Sequence, residues 1–185
     1  MIDEVRKRKE KARRHFLVLR KQVGSLRRKE AATRLFSSLT EALLPLSCIL
    51  SYSSFGSEID MWPLNRYLAV RGKLALPFTE PSGTLCPYRV IDIESDLCKK
   101  SSWNILEPDP KRCEQLAAAK IQCALIPGLA FDLSKKRLGW GKGCYDRFLL
   151  TLSCPSWGVG FQEQLSSRPL PTDSHDIPLT ALHLF

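Results

Sequence analysis

The chain has 185 residues, of which 44% are hydrophobic and 25% charged, with a formal charge of +9. That size and balance suit one domain over residues 1–185 with a sizeable core. They exclude a membrane span, because no apolar run approaches ~18 residues; Ala42–Leu50 comes nearest, and Pro45 and Ser47 break it. The densely charged N-terminus has no apolar stretch behind it, so it is not a secretory signal and the expected location is the cytoplasm. Seven cysteines, at 48, 86, 98, 113, 123, 144 and 154, are odd in number and lack the close spacing of a zinc knuckle or redox dithiol. They read as small apolar thiols in a reducing compartment, not as disulfides.

The positive charge is local. Residues 1–34 hold thirteen Lys and Arg against four acids, and the rest of the chain is neutral. A focused positive patch attracts phosphates, on a nucleotide or on nucleic acid. The same region reads as helix, with Ala12, Phe16, Leu19, Val23 and Leu26 forming one apolar stripe. Gly24-Ser25 interrupts it, and Ser25 is able to cap a second helix that carries Ala32, Leu35, Phe36, Leu39 and Leu43 and stops at Pro45.

Beyond Pro45 strands and helices alternate. Cys48–Tyr52 is a short buried strand, and Ser53–Glu58 a polar loop. Asp60 can cap a helix running to Val70 and ended by Gly72. Lys73–Phe78 is a second strand, Thr79–Cys86 a loop, and Pro87–Ile93 an edge strand. Ser101–Pro110 reads as irregular, Lys111–Ala119 as a short helix, and Ile121–Ile126 as a central strand. A glycine-rich loop precedes a helix from Tyr145 to Leu152, and Trp157–Phe161 is the last strand. This order predicts an α/β fold: a single domain with a mainly parallel central sheet flanked by helices, and the basic N-terminal helices packed on it. Ligands then lie beyond the carboxyl ends of the strands, at Ser53–Glu58, Pro127–Gly143 and Gln162–Asp176.

The densest chemical signal is Ile126–Asp132 followed by Arg137-Leu-Gly-Trp-Gly-Lys-Gly-Cys-Tyr-Asp-Arg147. Alternating glycines at 139, 141 and 143 let the backbone turn its N–H groups inward as a nest for an anion. Arg137 and Lys142 flank that loop, and Asp146 could hold a hydrated Mg²⁺ through one carboxylate oxygen. The string is neither a Walker A loop nor a G-x-G-x-x-G fingerprint. On physics alone, a purely structural turn with Asp146 as a helix-start carboxylate stands level with the phosphate reading.

The string resembles the signature of the 5-formyltetrahydrofolate cyclo-ligase family, roughly P-G-x-A-F-D-x₄-R-L-G-x-G-x-G-[YF]-Y-D-R-[FY]-L. Pro127, Gly128, Ala130, Phe131, Asp132, Arg137, Leu138, Gly139, Gly141, Gly143, Tyr145, Asp146, Arg147 and Leu149 match in register. Ser51–Asp60, Gly72–Pro77, Asn104–Pro108 and Leu170–Asp176 resemble further elements of that family. The resemblance implies ATP and Mg²⁺ as cofactors and 5-formyltetrahydrofolate, with or without a polyglutamate tail, as substrate. It implies ATP contacts from Arg137, Leu138, Gly139, Trp140, Gly141, Lys142, Gly143, Cys144 and Tyr145, with Arg137, Lys142 and Asp146 as the catalytic set. Glu58, Ser53, Trp140 and Cys144 would meet the folate, and Asp146 and Asp176 the metal.

The family's N-terminal helix supplies a Lys and, four residues later, an Arg. Aligned on Arg14 and Arg20, that Lys falls on Glu10, so Lys9 or Lys11 would replace it, with Arg13 beside Arg14. Cys144 stands where relatives carry an aromatic residue, and Trp140 where they are variable or basic. A C-terminus ending at Phe185, shorter than in relatives, is expected to trim surface structure only.

The resemblance implies a ligase that phosphorylates the formyl oxygen and lets N10 displace phosphate, acting as a monomer with no membrane or nucleic-acid partner. Two alternatives stand beside it. One is a nucleic-acid-binding protein that uses the basic helices, though no recognised binding motif accompanies the charge. The other is a relative that binds folate or nucleotide without turnover.

Overall fold

The structure is a computed structural model that describes residues 2–99 and 105–185. Asn104, the first residue of the expected Asn104–Pro108 element, and residues 101–103 of the expected irregular stretch lie outside the described residues.

Two helices open the chain, α1 (Ile2–Gln22) and α2 (Ser25–Leu43). The break falls where Gly24-Ser25 predicts it, but Gly24 is the N-cap and no side chain caps the helix; Ser25 already lies in the first turn. Along α2, Ala31, Leu35, Leu39 and Leu43 are buried, each leucine stabilising the fold by roughly 2 kcal/mol. In α1 the packed face differs from the apolar stripe. Lys9, Phe16, Arg20 and Val23 are buried, while Ala12 and Leu19 are only partly covered and Leu26, beyond the break, is exposed.

The sheet begins with β1 (Ile49–Leu50), followed by α3 (Trp62–Ala69), β2 (Leu74–Thr79) and β3 (Leu85–Arg89). Asp60 helps to start α3, accepting a hydrogen bond from Trp62 N at 2.9 Å. A one-turn helix α4 (Ile93–Asp96) leads to β4 (Leu97–Lys99), which pairs with β5 (Leu106–Pro108), a strand inside the stretch expected to be irregular. The helix expected over Lys111–Ala119 does not form. Arg89 N donates to Glu114 O and Leu116 N to Pro87 O, so the open edge of β3 draws this segment into extended pairing. Only a 3₁₀ turn, Ala118–Lys120, remains.

Next come β6 (Cys123–Ile126), β7 (Ala130–Asp132), β8 (Arg137–Leu138), α5 (Cys144–Leu149), β9 (Ser156–Gly160), β10 (Leu165–Ser166) and β11 (Ala181–Leu184). The main sheet has the order β11-β9-β6-β1-β2-β3. Every pairing is parallel except that of β2 with β3. The mainly parallel central sheet expected from the sequence is therefore present. Ile49, Leu74, Leu76, Leu125 and Val159 pack beneath α2 and α3. Leu50, Ala75, Ala124 and Ile126 pack on the other side with Phe148 and Leu149 of α5.

The sequence gives no warning of a second, three-stranded sheet, β10-β7-β8. Phe16 of α1 packs against Ala130 and Leu138 of this small sheet, together with Leu170. Of the two basic helices, α2 thus covers the main sheet and α1 the small one. Among the described residues no helix is long and apolar enough to cross a membrane.

Candidate functional site

Strand β8 delivers Arg137 to the start of the glycine loop, and Gly143 ends that loop as the N-cap of α5. Gly141 has φ 97° and Gly143 φ 65°, a backbone that residues with a Cβ rarely adopt. A Cβ at Gly141 would also stand 3.0 Å from the guanidinium carbon of Arg13. Arg13 Nε donates to the Gly139 carbonyl at 2.9 Å, so α1 is tied directly to the loop. Helix α5 has six residues, so its dipole adds little and any anion must rely on the loop and its side chains.

Arg137 is the central charge. It is 8% exposed, and its Nη2 bonds Asp146 Oδ1 at 3.0 Å. Its guanidinium carbon stands 5.5 Å from the centre of the Tyr145 ring. Nε is buried and, among the described residues, meets no hydrogen-bond partner. Burial and the nearby Glu58 carboxylate push the Tyr145 phenol well above its ordinary value. Lys142 is exposed and Cys144 half-buried. Arg147, given no role by the sequence, donates to the Lys142 carbonyl (3.1 Å) and the Gly83 carbonyl (3.1 Å), joining the glycine loop to the β2–β3 turn.

The site face of α1 carries Lys9, Arg13, Phe16 and Arg20, and Val23 continues it just past the helix, at steps of 4, 3, 4 and 3. Lys11 and Arg14 are exposed. Of the basic residues of α1, Arg13 bonds the glycine loop and Lys9, four residues earlier, bonds the carboxylates near the C-terminal end of the chain, a pairing one residue out of register with the alignment on Arg14. Lys9 Nζ lies 2.6 Å from both Asp173 and Asp176. Burial works against its charge, but the two carboxylates outweigh it and its pKa is raised.

The loop after β1 forms a second wall. The Glu58 side chain is 5% exposed, 3.6 Å from Arg20 Nη1, and it accepts from Phe55 N at 3.2 Å. Burial pushes this carboxyl up to about 7, against the pull of Arg20 and the Phe55 N–H. Phe55 stacks on Trp140 with centroids 6.2 Å apart, and the Arg20 guanidinium lies 5.6 Å from the Trp140 ring centre. Ser53 is half-buried in the same loop. The structure thus joins Glu58 to Trp140 through Arg20 and Phe55, two residues that periodicity did not single out.

Two carboxylates of the motifs prove to be engaged within the chain. Asp132 accepts from Ser134 N (2.9 Å), Lys136 N (3.1 Å) and Leu170 N (2.8 Å), which fixes the β7–β8 turn. Asp176 is paired to Lys9 and also accepts from Asp173 N at 2.8 Å. Among the described residues no group of three or more His, Cys, Asp or Glu is placed to hold a metal ion.

The chain has known relatives in sequence and in fold. The model of the 5-formyltetrahydrofolate cyclo-ligase family matches residues 5–183. The chain is 30% identical over 159 residues to the 5-formyltetrahydrofolate cyclo-ligase of Escherichia coli K12, covering 83% of this chain and 85% of that one. It is 35% identical over 92 residues to the mouse enzyme of that name, spanning 45% of each chain. The matches to the mouse and fission-yeast proteins thus cover less than half of those relatives' length, 45% and 47%. Among solved structures, 5,10-methenyltetrahydrofolate synthetase of Aquifex aeolicus superposes with a TM-score of 0.82 at 29% identity, over 94% of this chain and 88% of that one. With a profile that spans nearly the whole chain and a bacterial relative matched over most of its length, this protein belongs to the 5-formyltetrahydrofolate cyclo-ligase family of ligases.

Proposed function

We propose that the chain closes 5-formyltetrahydrofolate to 5,10-methenyltetrahydrofolate with ATP and Mg²⁺, releasing ADP and phosphate. The observation that carries this reading is the buried Nε of Arg137, which meets no acceptor among the described residues. An unmet buried donor costs roughly 1–3 kcal/mol, and a phosphate oxygen over the glycine loop would satisfy it. Arg13, at the Gly139 carbonyl, Lys142 and the glycine backbone complete a cradle for the triphosphate. Lys9 lies on the same face of α1; Lys11 and Arg14 are on the exposed side and contribute only at long range.

The residues present fit a hydrated Mg²⁺. That ion takes one or two carboxylates and completes its shell with water and phosphate oxygens, so it needs no cage of three acids. Asp146, 21% exposed, would supply one ligand, and Asp176 a second if Lys9 yields it. Bound there, Mg²⁺ would neutralise charge on the phosphates.

The chemistry needs positioning more than covalent help. An amide oxygen is a poor leaving group, so the formyl oxygen first takes the γ-phosphoryl group as ADP departs. N10 then attacks the formyl carbon and loses its proton, and phosphate leaves with the C–O electron pair. Arg137 and Arg13 hold the phosphates in line and offset their charge. Glu58, titrating near 7, can hold or release a proton beside the pterin. Trp140 and Phe55 form an aromatic wall that keeps water from the reacting carbon. No nucleophilic thiol is called for, and burial pushes the Cys123 thiol up to about 12.

The test is direct. Purified protein is mixed with 5-formyltetrahydrofolate, and methenyltetrahydrofolate absorbance is followed with and without ATP and Mg²⁺. The proposal requires absorbance growth only when both are present, matched by equal ADP. A protein that binds folate and ATP without turnover would refute it.

A further inference from the structure

Arg20 is a buried charge for which the phosphate cradle has no use. Its side chain is 2% exposed. Nε donates to Ser57 Oγ at 3.1 Å and Nη1 to the Gly128 carbonyl at 3.2 Å. Glu58 lies 3.6 Å away and the Trp140 ring centre 5.6 Å away. The backbone carbonyl of Arg20 accepts from Arg28, which also donates to the Ser57 carbonyl at 2.9 Å. One side chain thus joins the loop after β1, the corner after β6 and the tip of the glycine loop.

Packing alone does not call for a guanidinium here. An apolar side chain of similar volume fills a buried site as well or better, because burying the charge is unfavourable. What the guanidinium adds is direction, since its planar fork fixes the atoms it bonds. Those atoms belong to loops rather than to strands of the core. Resting on the reading that Glu58 and Trp140 meet the folate, we propose that Arg20 is a positioning residue for that substrate. It holds the Glu58 carboxylate and the Trp140 ring in fixed relation to the glycine loop. Among the described residues, the titratable groups facing Glu58 are Arg20 from α1, Tyr52 from the loop just after β1 and Tyr145 from α5. Of these, Arg20 is the only cation.

The test uses the full chain with folding checked by circular dichroism. Arg20→Met keeps the bulk and removes fork and charge; Arg20→Lys keeps the charge. Arg20→Met is expected to raise KM for 5-formyltetrahydrofolate about tenfold or more and to leave KM for Mg·ATP within about twofold. Arg20→Lys should fall between it and wild type. The double variant with Glu58→Gln should fall short of the sum of the two single effects, because part of what Arg20 does is exerted through the Glu58 carboxylate. The pH at which folate KM changes should move upward in Arg20→Met, since a cation that favours the carboxylate is gone.

Should Arg20→Met fail to fold, Ser57→Ala carries the test. It removes only the acceptor of Nε and should raise folate KM about threefold. Equal rises in both KM values, additive effects in the double variant, or an unchanged folate KM in a folded variant would overturn the inference. Glu58→Gln and Trp140→Ala that both leave folate KM unaltered would instead sink the reading of the folate pocket. A damaged Glu58→Gln beside undamaged Arg20 variants would sink only the place given to Arg20.

Discussion

Replacing Glu58 by Gln tests the electrostatics of the proposed folate wall without reference to any ligand. Its carboxyl is shifted from an ordinary 4.5 to about 7, with burial as the main cause and Arg20 opposing. Between those two pH values the folded protein keeps a proton that the unfolded chain has released. Stability therefore falls as pH rises through that window and levels off above it. At ~1.36 kcal/mol per pH unit, the full loss is roughly 3 kcal/mol. Gln mimics the protonated, neutral side chain and does not titrate. Urea unfolding of both proteins from pH 4 to pH 8 (about one step per half unit) isolates the effect. The two should have nearly the same stability at the acid end, with wild type falling behind by roughly 3 kcal/mol above neutrality. A difference that is constant with pH would refute the reasoning. So would a wild type that gains on the variant as pH rises, which would mean that Arg20 holds Glu58 charged throughout.

Asp132→Asn should destabilise the chain by about 2–3 kcal/mol in urea unfolding, because an amide N–H₂ would face the Leu170 N–H that Oδ2 now accepts. Gly141→Ala adds a Cβ at positive φ and against Arg13; KM for ATP should rise about tenfold at a stability loss of only about 1 kcal/mol. Lys9→Met should lose about 1–2 kcal/mol at pH 7. Hydrogen bonds from Lys9 and from His175 N hold the Asp173 carboxyl below its ordinary 3.8. The part of the Lys9 contribution made through Asp173 is therefore present above pH 3.8 and fades as pH falls through that depressed value.

The main sheet was legible because its strands are short apolar runs buried on both faces, as Cys123–Ile126 is. The glycine loop was legible through its match to the family signature, since its glycines with Arg137 and Asp146 left a purely structural turn equally open. The site face of α1 was not. Apolar periodicity finds Phe16 and Val23, but Lys9, Arg13 and Arg20 on the same face look like solvent-facing charges until the loops they bond are in place. The small sheet escaped notice because β7, β8 and β10 have three, two and two residues, too few to show alternation. The false helix over Lys111–Ala119 failed for a related reason: its residues favour helix locally, and the unpaired edge of β3 outweighed that preference. That Arg13 bonds Gly139 and Lys9 bonds Asp173 and Asp176 could not be read from the alignment, because those partners lie more than a hundred residues away.

The claim on which the rest depends is that residues 137–146 hold a triphosphate and its magnesium. Calorimetric titration of Mg·ATP into wild type, Arg137→Met and Asp146→Asn addresses it most directly, since it needs no folate and no turnover. Wild type should bind Mg·ATP and bind more weakly when Mg²⁺ is withheld. That Mg²⁺ dependence should be lost in Asp146→Asn, and affinity should drop by about a hundredfold or more in Arg137→Met. Wild type that takes up no Mg·ATP, or an Arg137→Met protein that binds it as wild type does, would contradict the account.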